Sequence, residues 1–174
     1  MRRTFIILLL ANFLTNCQNS EKRNYSNTKG NADLEAVFEQ LSKKARTDSI
    51  LNFSLDSLTS FDWDTVLVLT PYTPIKYLER NTNIDLEPLF YTKITVTEGY
   101  NVLAFIKNDK LIEWVELRAL YGSFDYYDST RFYDPSTANF RMILTDRKFT
   151  SGQPILKVEP IDSTGTFINW RNAM

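Results

Sequence analysis

The chain has 174 residues, of which 43% are apolar and 14% aromatic, and its formal net charge is −1. This composition is too apolar for a disordered chain, and the near-neutral charge provides no basic surface for nucleic acid, which is bound through many Lys and Arg contacts to phosphate. The sequence contains no histidine, which excludes His-dependent catalytic triads and His-ligated metal sites. We therefore expect one folded domain with no nucleic-acid partner.

The N-terminus has the order of an export signal. Arg2 and Arg3 precede an apolar run over residues 5–11, which is far shorter than the roughly 20 residues that span a bilayer. Leu14, Thr15 and Asn16 then lead to Cys17, the only cysteine of the chain. This arrangement resembles a bacterial lipoprotein signal with its lipobox, although Asn16 departs from the commoner Gly, Ala or Ser.

The lipoprotein resemblance implies the processing and the location of the chain. Residues 1–16 would be removed as a signal peptide, and Cys17 would carry a diacylglycerol and usually an N-acyl chain such as palmitate. Several acyl chains, at about 0.8 kcal/mol per buried CH₂, anchor a protein firmly without a spanning helix. We therefore expect anchoring to a bacterial membrane, either the outer membrane or the periplasmic face of the inner membrane. Residues 17–32 are expected to form the lipidated cysteine and a flexible tether, and residues 33–174 a single domain.

Two helices are predicted. Over residues 33–46 an apolar stripe with helical spacing is flanked by acidic residues near the start and basic residues near the end. Because its polar face carries Glu39 and Gln40 and not a basic strip, we expect this helix to pack on its own sheet and not on a membrane. Thr73 and Pro74 have the order of an N-cap and a first helical residue, which predicts a short helix that ends at residues 81–83.

The strands are predicted from apolar runs and from alternation. Residues 66–69 form an unbroken apolar run, as in a central strand that is covered on both faces, and Pro71 closes it. Further strands are expected at residues 93–97, 101–107, 111–119, 140–147 and 155–161, with Asn108 and Asp109 as a hairpin turn. The pattern predicts an α+β fold: a mostly antiparallel sheet of about five or six strands, with one long amphipathic N-terminal helix and one short helix packed on it.

The stretch around the central strand carries two resemblances. Residues 62–66, Asp-Trp-Asp-Thr-Val, match a string that haloacid-dehalogenase-like phosphotransferases use, but there the strand precedes the aspartates and here it follows them. We therefore predict that Asp62 and Asp64 are turn residues at the start of the strand, with Phe61 and Trp63 as core anchors. The Phe-x-Trp-Asp-x-Val segment with its later Pro-Tyr resembles small secreted or lipid-anchored bacterial proteins. That resemblance implies a fold and a location but no activity.

The residues that favour binding lie at 124–135, a segment predicted to be mainly a loop. Exposed tyrosines together with Asp and Arg are typical of recognition surfaces. The candidate binding surface consists of Tyr126, Tyr127, Asp128, Arg131, Tyr133 and Asp134. One alternative is that Phe124, Phe132 and one or two of the tyrosines cap the core. A second is a Ca²⁺ site built from Asp125, Asp128 and Asp134, although their spacing is not that of an EF-hand.

No residue pattern singles out a catalytic, cofactor-binding or metal-binding site. Glu113, Glu116 and Arg118 of the predicted hairpin are expected to face solvent or to pair across strands. The favoured function is a non-enzymatic envelope lipoprotein that binds a protein, a peptide or a glycan. A periplasmic inhibitor or immunity-type protein is the alternative, and an envelope hydrolase of unidentified type is a third.

The lipid anchor is testable by metabolic labelling. In cells that are grown with radioactive palmitate, the chain should become labelled. Cys17→Ser should abolish the label because the acceptor thiol is lost. A Cys17→Ser chain that still incorporates palmitate would contradict the lipobox interpretation.

Overall fold

A computed structural model describes residues 30–124, 129–162 and 166–169. Its α-helices are α1 (Ala32–Asp48), α2 (Leu55–Leu58) and α3 (Ile75–Thr82). Its strands are β1 (Ile50–Ser54), β2 (Thr65–Leu69), β3 (Tyr100–Lys107), β4 (Lys110–Arg118), β5 (Ser123–Phe124), β6 (Ser129–Tyr133), β7 (Asn139–Lys148), β8 (Pro154–Pro160) and β9 (Thr166–Asn169). Short 3₁₀ helices occupy Glu87–Tyr91, Lys93–Thr95 and Ala119–Tyr121.

These strands form two sheets. The first has the order β1-β7-β8-β5 and the second the order β4-β3-β2-β6-β9. Every pair is antiparallel except β5 with β8. The predicted α+β class and the mostly antiparallel pairing are therefore confirmed. The strands are divided between a four-stranded and a five-stranded sheet, where the sequence suggested one sheet of five or six.

Strand β2 lies at the centre of the five-stranded sheet and is buried on both faces. Val66 and Val68 pack into the core between the two sheets, where they meet Phe105 of β3. Leu67 and Leu69 point to the opposite face, which α3 and the 3₁₀ helices of residues 87–95 cover. An unbroken apolar run suits a strand in this position, because neither face meets water.

Helix α1 packs on the core, as its apolar stripe predicts. The Asn31 side chain caps the helix by accepting a hydrogen bond from the Leu34 backbone N–H at 2.9 Å. Leu34, Phe38 and Ala45 are buried in the core between the sheets. Among the helices of the described residues, none combines the length and the apolar character needed to cross a membrane.

The start of β2 is tied to the hairpin formed by β3 and β4. Asn108 and Asp109 both have positive φ, 49° and 58°, as a two-residue hairpin turn of type I′ requires. The Asp64 carboxylate accepts a hydrogen bond from the Asn108 N–H at 2.8 Å, and Asp62 pairs with Lys107. Both aspartates are therefore turn residues at the strand entrance, as predicted.

Two local predictions are wrong, and the cause in each is a threonine hydroxyl. Residues 93–97 do not form a strand, because the Thr92 and Thr95 hydroxyls donate to backbone carbonyls three residues earlier and stabilise a 3₁₀ helix. Pro74 and not Thr73 occupies the N-cap position of α3, and the Thr73 hydroxyl donates to the Thr70 carbonyl at 2.7 Å. The chain ends α3 at Asn83 in the left-handed conformation, which agrees with the predicted end.

The aromatic cluster at the start of β2 provides a test of the core. Phe105 is fully buried, and its ring centroid lies 5.1 Å from that of Phe61 and 5.4 Å from that of Trp63. Phe105→Ala should lower the free energy of unfolding by about 3–5 kcal/mol, because it leaves a cavity among these rings. Urea unfolding followed by tryptophan fluorescence measures the loss. Val96→Ala, at a side chain that is 75% exposed, should change stability by less than about 0.5 kcal/mol. Similar losses for the two variants would contradict this packing.

Candidate functional site

The predicted site residues do not all fall where the structure describes the chain. Tyr126, Tyr127 and Asp128 lie outside the described residues, as does Cys17. Arg131 and Tyr133 belong to β6, so part of the segment predicted to be a loop is a strand. The neighbouring Asp134 follows β6 directly.

Tyr133 is not a surface residue. Its side chain is 2% exposed, and its ring centroid lies 5.0 Å from that of Phe140 in the core between the sheets. Phe124 is buried against the same ring. The prediction that Tyr133 offers contact area to a ligand is therefore wrong, and this part of the segment caps the core.

Asp134 is engaged by its own turn. Its carboxylate accepts hydrogen bonds from the Ser136 hydroxyl at 2.6 Å, from the Ser136 N–H at 2.8 Å and from the Thr137 N–H at 3.0 Å. These hydrogen bonds hold the pKa of Asp134 below its usual range, and the bond from the Ser136 hydroxyl has the largest effect. The described residues contain no group of three or more acidic or cysteine side chains arranged to hold a metal ion. Of the three aspartates in the calcium alternative, only Asp134 lies within the described residues.

A groove at the open end of the β3–β4 hairpin is lined by several polar and aromatic side chains. It consists of two adjoining depressions of about 330 and 480 Å³, and both are lined by Tyr100 and Arg118. We call it the Arg118 groove. Glu35, Tyr91, Lys93, Trp114 and Glu116 also line the first depression, and Gly99, Ala119, Leu120, Phe149, Thr150, Ser151 and Gln153 line the second.

Strand register brings the two shared residues together. Tyr100 is the first residue of β3 and Arg118 the last of β4, and they are direct partners across the strands. A hydrogen bond of 2.8 Å from the Ala119 N–H to the Gly99 carbonyl continues the pairing just beyond them. The predicted hairpin therefore fixes the centre of the groove.

Lys93 and Glu116 tie the 3₁₀ segment to this hairpin. The Glu116 carboxylate accepts a hydrogen bond from the Lys93 N–H at 2.6 Å and lies 3.4 Å from the Lys93 ammonium. The ammonium donates to the Tyr100 hydroxyl at 3.2 Å and lies 4.3 Å from the Tyr100 ring centroid. The hydrogen bond to Tyr100, followed by the charge of Glu116, raises the pKa of Lys93. Lys93 therefore stays protonated and contacts both Glu116 and Tyr100.

Arg118 is the available cation of the groove. Its side chain is exposed, and no hydrogen bond or ion pair joins it to another residue in the described part of the chain. The pKa of Glu39 on α1 is lowered, mainly by Lys43 and to a smaller degree by the charge of Arg118. A guanidinium group presents five donors in a planar fork that matches a carboxylate.

A second arginine fixes the wall of the groove. The Arg46 guanidinium donates to the Leu120 carbonyl at 3.0 Å and to the Pro154 carbonyl at 2.9 Å, which joins α1 to two segments at the groove. The loop from β7 to β8 turns at Gly152, whose φ of +83° lies in the left-handed region. Within this loop, the Phe149 N–H donates to the Gln153 carbonyl at 2.9 Å. The wall is therefore held by backbone contacts on both sides.

Gly30, Asn31 and Ala32 line the first depression of the groove at the start of α1. The Asn31 N–H donates to the Trp114 carbonyl at 2.7 Å, on the open edge of β4. A Cβ atom on Gly30 would lie 2.7 Å from the Trp114 ring, so only glycine allows this close approach. Residues 30–32, the described part of the segment predicted to be a tether, therefore lie at the Arg118 groove.

Comparison with known proteins gives no match. No protein-family model fits the chain, and neither the curated proteins nor the solved structures contain one that matches it. The arrangement of the Arg118 groove therefore has to be interpreted from its own chemistry. An open guanidinium between aromatic and hydroxyl-bearing walls suits recognition of an acidic group attached to an apolar or ring-shaped body.

The role of Asp134 as a turn cap predicts a pH dependence of stability. Because its folded-state pKa is lowered, its contribution is fully present above the unfolded aspartate value of about 3.9 and is lost as the pH falls through the folded value. Urea unfolding of the chain and of Asp134→Asn should therefore show a stability difference at pH 7 that shrinks at pH 3. Asp146→Asn, at an exposed aspartate of β7, is the matched control and should show a smaller pH-dependent difference. Equal pH profiles for the chain and for Asp134→Asn would contradict this role.

Proposed function

We propose that this chain is a lipid-anchored protein of the bacterial cell envelope and that its domain is a non-enzymatic binding module. The support for the anchor is the order of basic start, short apolar run and single Cys17 in the sequence. The support for binding is the Arg118 groove.

The single observation that carries the binding function is the environment of Arg118. The side chain is exposed and has no hydrogen bond or ion pair within the described residues, whereas Tyr100 and Glu116 beside it are joined through the Lys93 ammonium. Holding neighbouring side chains in place before the ligand arrives lowers the entropy cost of binding. The proposed ligand is a peptide or glycan of the envelope that presents a carboxylate next to an apolar or ring-shaped group.

The proposed anchor would keep the groove within the envelope. The tether expected from the sequence, with 14 residues from Gln18 to Asn31, would span on the order of 20 Å if it were a random coil. Because Asn31 contacts Trp114 at the groove, the binding surface would stay close to the membrane that holds the lipid. Ligands of that layer would be met at a raised local concentration.

Capture from envelope extract tests the binding function. The immobilised chain should retain a ligand that Arg118→Ala loses and Arg118→Lys retains weakly, because lysine keeps the charge but not the fork. Arg147→Ala, at an exposed arginine on β7, is the matched control and should retain the ligand fully. Circular dichroism checks that all variants are folded.

The same experiment compares the groove with the loop predicted from the sequence. Tyr126→Ala combined with Tyr127→Ala should leave capture unchanged if the ligand occupies the Arg118 groove. If the Arg118→Ala variant still captured the ligand and the Tyr126→Ala, Tyr127→Ala double variant did not, the binding surface would be the loop and not the groove. Capture that none of these changes affects would contradict both surfaces.

A further inference from the structure

Strand β1 is an edge strand, and its hydrogen bonds show which of its backbone groups face outward. The Leu144 N–H donates to the Ser49 carbonyl at 2.9 Å, and the Leu55 N–H donates to the Ala138 carbonyl at 3.0 Å, in the register that pairs Phe53 with Phe140. In an antiparallel pair, only alternate residues bond to the neighbouring strand. Odd-numbered residues of β1 therefore bond to β7, and the N–H and C=O groups of Ile50, Asn52 and Ser54 point away from the sheet.

Most of these outward groups have no partner in the described part of the chain. The Ser54 carbonyl accepts from the Ser57 hydroxyl at 2.8 Å, whereas no hydrogen bond is formed by the N–H or C=O of Ile50 or Asn52. The edge is open to solvent, since Asn52 is exposed and the Ile50 side chain is 58% exposed.

The β1 edge also has fewer of the features that normally prevent strand pairing than the edge formed by β4. Exposed edges are usually protected by charged side chains, proline, bulges or a covering segment. Strand β4 shows several of these: it carries Lys110 and Arg118, it contains a bulge, and Asn31 bonds to its open side. Strand β1, Ile-Leu-Asn-Phe-Ser, has no charge, no proline and no register shift against β7.

We propose that the β1 edge is an interaction surface for a second copy of this chain. The outward residues Ile50, Asn52 and Ser54 are arranged symmetrically about Asn52. An antiparallel β1 from a second copy therefore places Asn52 opposite its own counterpart and Ile50 opposite Ser54, with outward N–H and C=O groups facing each other. The Ser54 carbonyl, which already accepts from the Ser57 hydroxyl, has a second lone pair for the incoming N–H.

This self-complementarity selects the second copy as the occupant. Every residue of β1 is uncharged, so no like charges meet between Ile50 and Ser54 of the paired strands, and the nearest acidic residues, Asp48 and Asp56, lie beyond the two ends of the pairing. The pairing also covers part of Ile50, which lies beside Ile143 of β7 on the outer face of the same sheet. The two four-stranded sheets become one continuous sheet across the dimer.

Disulfide cross-linking of the full chain in membranes tests the register. Directly opposed residues that exchange hydrogen bonds have Cα atoms about 5.5 Å apart, within the range that a disulfide spans. Asn52→Cys should therefore yield a disulfide-linked dimer under mild oxidation. Asp146→Cys, at an exposed residue of the same sheet, and the unchanged chain, which retains Cys17, are the controls and should form no disulfide-linked dimer. Absence of a dimer for Asn52→Cys, or equal cross-linking of a control, would overturn the proposal.

Proline at the same position separates pairing from folding. Because the Asn52 N–H faces outward, Asn52→Pro removes a bond of the proposed dimer but none of the bonds to β7. Light scattering of the full chain in detergent, corrected for bound detergent, should show a concentration-dependent dimer that Asn52→Pro abolishes, with an unchanged circular dichroism spectrum. A chain that stays monomeric at all concentrations, or an Asn52→Pro chain that is folded and still dimeric, would overturn the proposal. Neither experiment depends on the ligand of the Arg118 groove.

Discussion

Strand β2 has apolar side chains on both faces, and each face has to be covered by a different part of the chain. Val66 and Val68 are covered by the core that the four-stranded sheet and α1 complete, and Leu67 and Leu69 by α3 and the 3₁₀ segment. Full burial of each such side chain is worth about 1.5–3 kcal/mol, so leaving either face open would remove a large part of the stability of a small domain. The layered fold follows from this requirement.

The same requirement positions the Arg118 groove. Strand β3 pairs with β2, and its hairpin partner β4 is therefore placed at the edge of the sheet, with Tyr100 opposite Arg118 at the open end. The 3₁₀ segment that covers Leu67 and Leu69 brings Lys93 to the same place, where it contacts Tyr100 and Glu116. The network beside Arg118 is thus a consequence of covering β2, and a substitution that loosened this cover would disturb the groove as well.

The sequence predicted those elements whose signal is local and strong. The apolar stripe of α1, the continuous run of β2 and the Asn108-Asp109 turn each have one physical interpretation, and all three are confirmed. Strand β6 was missed because Thr130 and Tyr133 are its buried residues, a spacing of three that breaks the alternation of a half-buried strand. The Arg118 groove was not predictable, since it joins residues near positions 30, 93, 118 and 150, and only the tertiary fold brings them together.

Helix α1 links the groove to the β1 edge. Its N-cap residue Asn31 contacts Trp114 at the groove, and its C-cap residue Ser49 leads directly into β1. With 17 residues at about 1.5 Å each, the helix is roughly 25 Å long. Arg46, in the last turn of α1, donates to the Leu120 carbonyl in the groove wall, so the groove extends along the helix toward the end that leads into β1. A ligand in the groove and a second copy at β1 would not compete for the same residues, so a dimer of this kind would present two grooves from one anchored assembly.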